Sequence, residues 1–344
     1  MCIDKELMDQ IFKELPKDKH VAILVQQSPD PDCLGAAAGF AILLSKVYEV
    51  ESKIYHFGEV SHPQNKSIKN VLHIALQDGS EFVLDDISAT VVLDTDLSST
   101  GFKSDELIAV DVRIDHHSMD REDDPRLKDV RKVGSTCAIV WDYLNKFGVD
   151  LKEHADVATA MILGIKTDTL DFTSSNTAEL DMEAYRDLLP FVNKISLARV
   201  TNFPLPREVF ELEGKAYMKR QESGTVLVSF VGELGGHSRD MISTIADRFS
   251  RMSGINTVVI MAVIDNYLQA SIRSDDSRVE VSEICSKVFG KDYSGAKEGS
   301  GGAKLPLDTL QYINDKEVRE KALEEIVLTF RNKIFSALGE EVKE

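Results

Sequence analysis

The sequence predicts an α/β fold: an N-terminal parallel-sheet domain over residues 1–191, a linker over 192–222, and a smaller C-terminal α/β domain with a mixed sheet over 223–344. Three observations predict it. Short apolar runs such as Val21-Ala22-Ile23-Leu24-Val25 lack the alternation of a half-exposed strand and match strands covered on both faces. Stretches with helical spacing alternate with these runs, the pattern of successive βαβ units. The composition then changes around Asn202-Phe203-Pro204-Leu205-Pro206, where two prolines punctuate the chain before a second series of elements begins.

Apolar positions at helical spacing over 4–15 predict a first helix. The run at 21–25 predicts a buried strand, stopped by Ser28-Pro29-Asp30-Pro31-Asp32, and an Ala- and Leu-rich helix follows from Leu34 to about Lys46. A second apolar run at 91–93 ends in Asp94-Thr95-Asp96, and a third strand, Leu107 to Ile114, ends in Asp115-His116-His117. Helices are expected at 135–147 and 155–164, the latter closing on Gly164-Ile165-Lys166-Thr167-Asp168. Beyond the prolines come a strand at 225–231, a helix at 239–252, and a strand pair over 257–273 turning at Asp265-Asn266. A helix at 281–289, a Gly-rich loop at 295–302 and a closing helix at 316–338 complete the series.

The formal net charge of the 344 residues is −18. Contacts to phosphates dominate the binding of long nucleic acids, and they require a basic surface, so tight binding of duplex DNA is excluded. A small anionic substrate remains compatible with cations and a local basic patch. No run of eighteen apolar residues occurs, and the N-terminus has no apolar signal core, so a cytoplasmic protein with no membrane partner is expected. The four cysteines are far apart and form no CxxC pair, as expected of reduced thiols.

Acidic residues gather at the ends of the expected elements: Asp30 with Asp32, Asp94 with Asp96, Asp115-His116-His117, and Asp168 with Asp171. The carboxyl edge of a parallel sheet is where ligands sit. Singly these clusters are weak, because Asp-x-Asp is common in turns and caps. Together they imply carboxylates close enough to repel, a cost that hard cations relieve. Mixed carboxylate and imidazole donors suit manganese, magnesium or iron, and two such ions can activate a water for attack on phosphorus.

These residues resemble a known family. Ser28-Pro-Asp-Pro-Asp-Cys-Leu-Gly-Ala-Ala37, Val91-Val-Leu-Asp-Thr-Asp96, Ile114-Asp-His-His117 and Gly164-Ile-Lys-Thr-Asp-Thr169 are similar, in order and spacing, to the four motifs of the DHH phosphoesterases. Gly134-Ser135-Thr136 before a helix fits the same pattern, and Ser271-Ile-Arg-Ser274 with Gly299–Gly302 resembles the DHH-associated domain.

The resemblance implies two Mn2+ or Mg2+ ions in a cleft between the domains. It would make Asp30 a ligand of the first ion, Asp32, His116 and Asp168 ligands of the second, and Asp94 a bridge. His117 would face the substrate phosphate and Asp115 would orient the histidines. Asp168 could also contact the bridging water, while Asp96 and Asp171 are ligand supports or mere caps. Two positions depart from the family. Gln26 stands where many members have a metal-binding histidine, and Gly299-Ser-Gly-Gly-Ala-Lys304 lacks the usual loop histidine.

Arg273, Gly301, Gly302 and Lys304 are the expected substrate contacts, since guanidinium and backbone N–H groups bind phosphate. The loop at 295–302 reads equally as a connector. The activity implied is hydrolysis of a phosphodiester or phosphoanhydride in a short single-stranded oligonucleotide, a cyclic dinucleotide or an adenosine bisphosphate. The alternatives are a pyrophosphate or polyphosphate hydrolase, or a nucleotide-binding regulator on a degraded scaffold. A homodimer is also expected.

Overall fold

The computed structural model describes residues 4–60, 62–103, 108–117, 124–297 and 299–340. They form two compact units, Met1–Pro204 and Leu205–Glu344. The segment expected as a linker is helical over Lys194–Thr201 and Arg207–Lys219, and the units divide in the proline-punctuated stretch between those helices.

The strands of the first unit are β1 (His20–Leu24), β2 (Ser52–His56), β3 (Leu76–Asp78), β4 (Ile87–Leu93), β5 (Val112–Asp115) and β6 (Leu127–Val130). Among the described residues they make one sheet in the order β3-β2-β1-β4-β5-β6, and every pairing is parallel. The order reverses between β1 and β4, so the loops leaving their carboxyl ends diverge and open a crevice there. The acidic loops at 28–32 and 94–96 leave from these two strands.

The strand expected from Leu107 begins only at Val112 in the described residues. The Asp111 carboxylate accepts the Thr90 N–H at 2.9 Å, taking a donor that a longer β5 would need. Residues 104–107 lie outside the described set. β2, β3 and β6 were not anticipated.

The helices are α1 (Lys5–Phe12), α2 (Pro31–Leu43), α3 (Pro63–Val71), α4 (Thr136–Phe147), α5 (Ala155–Asp168), α6 (Glu179–Leu188) and α7 (Lys194–Thr201). α2 is buried along nearly its whole length, which fits its unbroken run of Cys, Leu, Gly, Ala and Phe. It packs against α4 and α5. Glycines make the approach to α5 possible. A β-carbon on Gly35 would lie 2.8 Å from the Ala160 carbonyl oxygen, and one on Gly164 would lie 2.7 Å from the Asp32 α-carbon.

The second unit carries α8 (Arg207–Lys219), β7 (Gln221–Ser223), β8 (Val226–Leu234), α9 (Arg239–Phe249), β9 (Thr257–Ile264) and β10 (Tyr267–Ser274). α10 (Val281–Phe289), β11 (Ser294–Lys297), β12 (Ser300–Pro306) and α11 (Lys316–Ala337) follow. The sheet runs β11-β12-β10-β9-β8-β7 and is mixed: β8 and β9 are parallel and the other pairs antiparallel. The expected Gly-rich loop is thus largely a hairpin. Gly299 holds φ at +68° in its turn, and Gly301 lets β12 press on α10, where a β-carbon would lie 2.7 Å from Cys285 Sγ and from Val281. No helix among the described residues is long and apolar enough to cross a membrane.

Candidate metal centre

The first unit brings Asp32, Asp94, His116 and Asp168 to one point. Asp32 is in the first turn of α2, which Asp30 caps by accepting the Cys33 N–H at 3.0 Å, with Pro31 at the next position. Asp94 follows β4, His116 follows β5, and Asp168 ends α5. His116 Nε2 lies 3.3 Å from Asp168 Oδ2, 3.4 Å from Asp94 Oδ1 and 3.9 Å from Asp32 Oδ2. Gly164 precedes Asp168 by one helical turn on α5, so the close contact of Gly164 with Asp32 is what brings Asp168 over the same point.

The N-terminus of α4 supports this cluster from below. The Thr136 and Cys137 N–H groups donate to Asp32 at 2.7 and 2.9 Å, and Thr136 Oγ1 donates to Asp94 Oδ1 at 2.8 Å. These are free first-turn donors, so they favour a carboxylate there without weakening the helix. Asp94 is held at φ +61°, in the left-handed region, with its N–H bonded to the Ile114 carbonyl at 2.9 Å.

Burial and the neighbouring carboxylates Asp168 and Asp30 push Asp32 up to about 6. Asp94 is raised well above the usual carboxylate range by burial and by Asp32, Asp30 and Asp168. Burial works against charge on His116 too, but the close approach and charge of Asp168 and the charge of Asp32 outweigh it and lift the imidazole to about 9. A protonated His116 is therefore the internal counter-ion of the cluster.

His117 is held differently. Asp115 Oδ1 accepts from the His117 backbone N–H at 3.0 Å and lies 2.8 Å from its Nδ1, while Asp115 Oδ2 takes Arg113 Nη2 at 2.7 Å. Burial would raise Asp115, but His117 and Arg113 outweigh it and hold it at about 2. A carboxylate there fixes the proton on Nδ1 and leaves Nε2 free as an acceptor, on a ring that is 30% exposed. His116 takes its orientation elsewhere, from the Val133 carbonyl 3.3 Å from its Nδ1. Asp115 thus orients one histidine of the pair.

Asp94 Oδ2 and His116 Nε2 are buried and have no hydrogen-bond partner of good geometry. Asp32, His116 and Asp168, and separately Asp94, His116 and His117, each offer ligand atoms within 4.8 Å of one another. Orphaned oxygen and nitrogen atoms aimed at one point fit a divalent cation of hard or borderline character.

Asp96 caps a short turn, accepting the Ser99 N–H at 3.1 Å, and Asp171 pairs with Lys166 at the surface. Both act as caps or surface ions. Cys33 is buried, with burial pushing its thiol up, and is no nucleophile. In the second unit Gly301 and Gly302 pair with Ile272 and Ser271, and Lys304 pairs with Gln269. Arg273 is engaged by Asp247, Ser243 and Ser271, and the Lys304 ammonium stands 4.4 Å from the Tyr267 ring centroid. The sequence reading missed Arg113 and gave Thr136 no role. The only signal was the Gly134-Ser135-Thr136 pattern before a helix.

The N-terminal domain of the DHH family matches residues 20–165. An uncharacterised protein of Methanocaldococcus jannaschii is 31% identical over 328 residues, covering 95% of this chain and 66% of that protein. A probable manganese-dependent inorganic pyrophosphatase of Lactobacillus gasseri is 25% identical over 169 residues, 48% of this chain and 53% of that protein. The chain therefore spans between half and two thirds of these relatives. The crystal structure of an exopolyphosphatase-related protein from Bacteroides fragilis superposes with a TM-score of 0.62 at 15% identity, covering 95% of this chain and 96% of that one.

Proposed function

The chain belongs to the DHH family through its residues 20–165, and from that premise we propose that it is a divalent-metal-dependent phosphoester hydrolase. The observation that carries this reading is the convergence of Asp32, Asp94 and Asp168 on His116 Nε2, with buried ligand atoms left unpartnered. Asp32, Asp94, His116 and Asp168 would hold the cation, and Asp30 would hold a second. Bound there, the metal would supply Lewis-acid charge to the phosphoryl oxygens and lower the pKa of a water. Manganese is favoured by the mixed carboxylate and imidazole donors and by the name of the Lactobacillus relative.

The protein groups do the rest. Thr136 and the α4 N-terminus keep Asp32 and Asp94 in place before a cation arrives. His117, tethered by Asp115 through Nδ1, offers Nε2 to accept a hydrogen bond from a protonated phosphate oxygen or to take up a proton, which it can then give to the leaving group. The substrate class proposed is a small phosphorylated molecule, a short oligonucleotide, cyclic dinucleotide or adenosine bisphosphate, because an acidic chain disfavours long polyanions.

The test is hydrolysis of bis(p-nitrophenyl) phosphate. Turnover should appear with Mn2+, vanish on chelation, and be absent from Asp168→Ala. A panel of di- to pentaribonucleotides, cyclic dinucleotides, adenosine 3′,5′-bisphosphate and pyrophosphate then separates the substrates. Gln26, half-buried past the end of β1, supports a second reading, a nucleotide-binding regulator with a weakened centre. Nucleotide binding without turnover on any substrate of the panel would favour that one.

A further inference from the structure

Segment 133–137 touches the metal cluster at three places: Val133 O with His116, Thr136 Oγ1 with Asp94, and the Thr136 and Cys137 N–H groups with Asp32. One buried side chain holds the residues that open it. Asp181, in the first turn of α6 and fully buried, accepts from Gly134 N at 2.7 Å, Ser135 Oγ at 2.9 Å and Ala178 N at 2.9 Å. We propose that Asp181 is a positioning residue of the metal centre, clamping segment 133–137 so that three ligands meet at the spacing a cation needs. The proposal rests on the metal-centre reading above and deepens it.

The chemistry of the contact explains why a carboxylate stands there. Gly134 N points into the interior ahead of α4 and cannot be reached by water. Ser135 caps α4 by accepting the Ala138 N–H at 3.2 Å, so its own hydroxyl proton needs an acceptor, and Asp181 Oδ1 is it. Ala178 N is a free donor ahead of α6, and the Asp181 carboxylate reaches back to it as in half of a capping box. One group with two acceptor oxygens thus joins the starts of α4 and α6. Gly134 cannot drift from it, because even a β-carbon there would lie 2.6 Å from Thr169 Cγ2 and 2.8 Å from Asp181 Oδ2. Thr169 follows Asp168, so the same packing relates the fourth ligand to the clamped segment.

Asp181 lies outside the four motifs and touches no ligand itself. Removing it leaves buried donors unsatisfied, which lowers stability whatever else it does. The distinguishing quantity is therefore the affinity of the folded protein for Mn2+, measured by titration calorimetry well below each unfolding midpoint. Asp181→Ala should weaken Mn2+ binding about tenfold or more, as loss of a group supporting a metal ligand does elsewhere. Met8→Ala, a buried change on α1, should lower stability and leave the affinity at the wild-type value. Asp181→Asn should recover most of the affinity. Its carbonyl can face the Gly134 and Ala178 N–H groups, and its amide can donate to Ser135 Oγ, so that of the three contacts only the bond donated by the Ser135 hydroxyl is lost.

Ser135→Ala serves if Asp181→Ala does not fold, and should weaken binding in the same direction. Wild-type affinity in Asp181→Ala or Ser135→Ala overturns the proposal. So does an Asp181→Asn protein that binds as poorly as Asp181→Ala. If the wild type itself takes up no Mn2+, the metal centre fails first, and that result is read before any variant is compared.

Discussion

Gly164 meets Asp32 backbone to backbone: a β-carbon on Gly164 would lie 2.7 Å from the Asp32 α-carbon and 2.8 Å from Cys137 Sγ. Neither neighbour is the far end of a flexible chain, so an added methyl must push α5 away from α2. Gly164→Ala should therefore lower stability by about 1–3 kcal/mol, the usual penalty of overpacking a core. It should also weaken Mn2+ binding, because Asp168 moves with α5. Urea unfolding and Mn2+ titration measure the two effects, and an unchanged midpoint would show that the helices separate freely.

Asp94 presents the opposite case. Its Oδ2 is buried without a partner, so ionising this carboxyl burdens the fold in the absence of a cation. Asparagine tolerates the left-handed φ of this position. Asp94→Asn should keep or raise the thermal midpoint of the metal-free protein and abolish the rise that Mn2+ gives the wild type. A fall of several degrees without metal would mark Asp94 as a structural residue.

The raised Asp32 gives a pH dependence with a definite sign. Folded, this carboxyl titrates at about 6; unfolded, near the ordinary 3.8. Between those values the folded metal-free protein holds more protons than the unfolded chain, so its stability falls as pH rises through this window. A cation requires the ionised form. The midpoint increase on adding Mn2+ should therefore be small at pH 5 and large at pH 7.5. A shift independent of pH would remove Asp32 from the ligand set.

His117 should separate chemistry from metal binding. Its Nδ1 is committed to Asp115, so its ring supplies an outward Nε2. His117→Ala should lower kcat by about 10²–10⁴-fold, the range for a lost proton-transfer group, with Mn2+ affinity unchanged. Loss of Mn2+ binding in this variant would instead make His117 a ligand.

The sequence made the proposed ligands legible because each sits at the boundary of an expected strand or helix, where acidic residues and a histidine have little reason to recur together by chance. Their supports were hidden. Asp181 near a helix start looks like an ordinary cap, and Arg113 looks like the solvent side of a strand, yet one joins two helix starts and the other is fully buried against Asp115. The polar β2, the three-residue β3 and the charged edge strand β6 escaped because none is a continuous apolar run. The glycines at 299–302 suggested a loop, and only their packing on α10 shows why a strand needs them.

The bond from Thr136 to Asp32 joins residues 104 positions apart, and the one from Cys137 spans 105. A contact of such range forms only after the intervening strands have paired, since closing a long loop is entropically expensive until other contacts support it. The cluster is then expected to complete late in folding, after the transition state. Manganese would accordingly act as a lock on the finished domain, slowing unfolding while leaving the rate of folding as it was. Stopped-flow traces with and without the ion would show a shift in the unfolding limb alone.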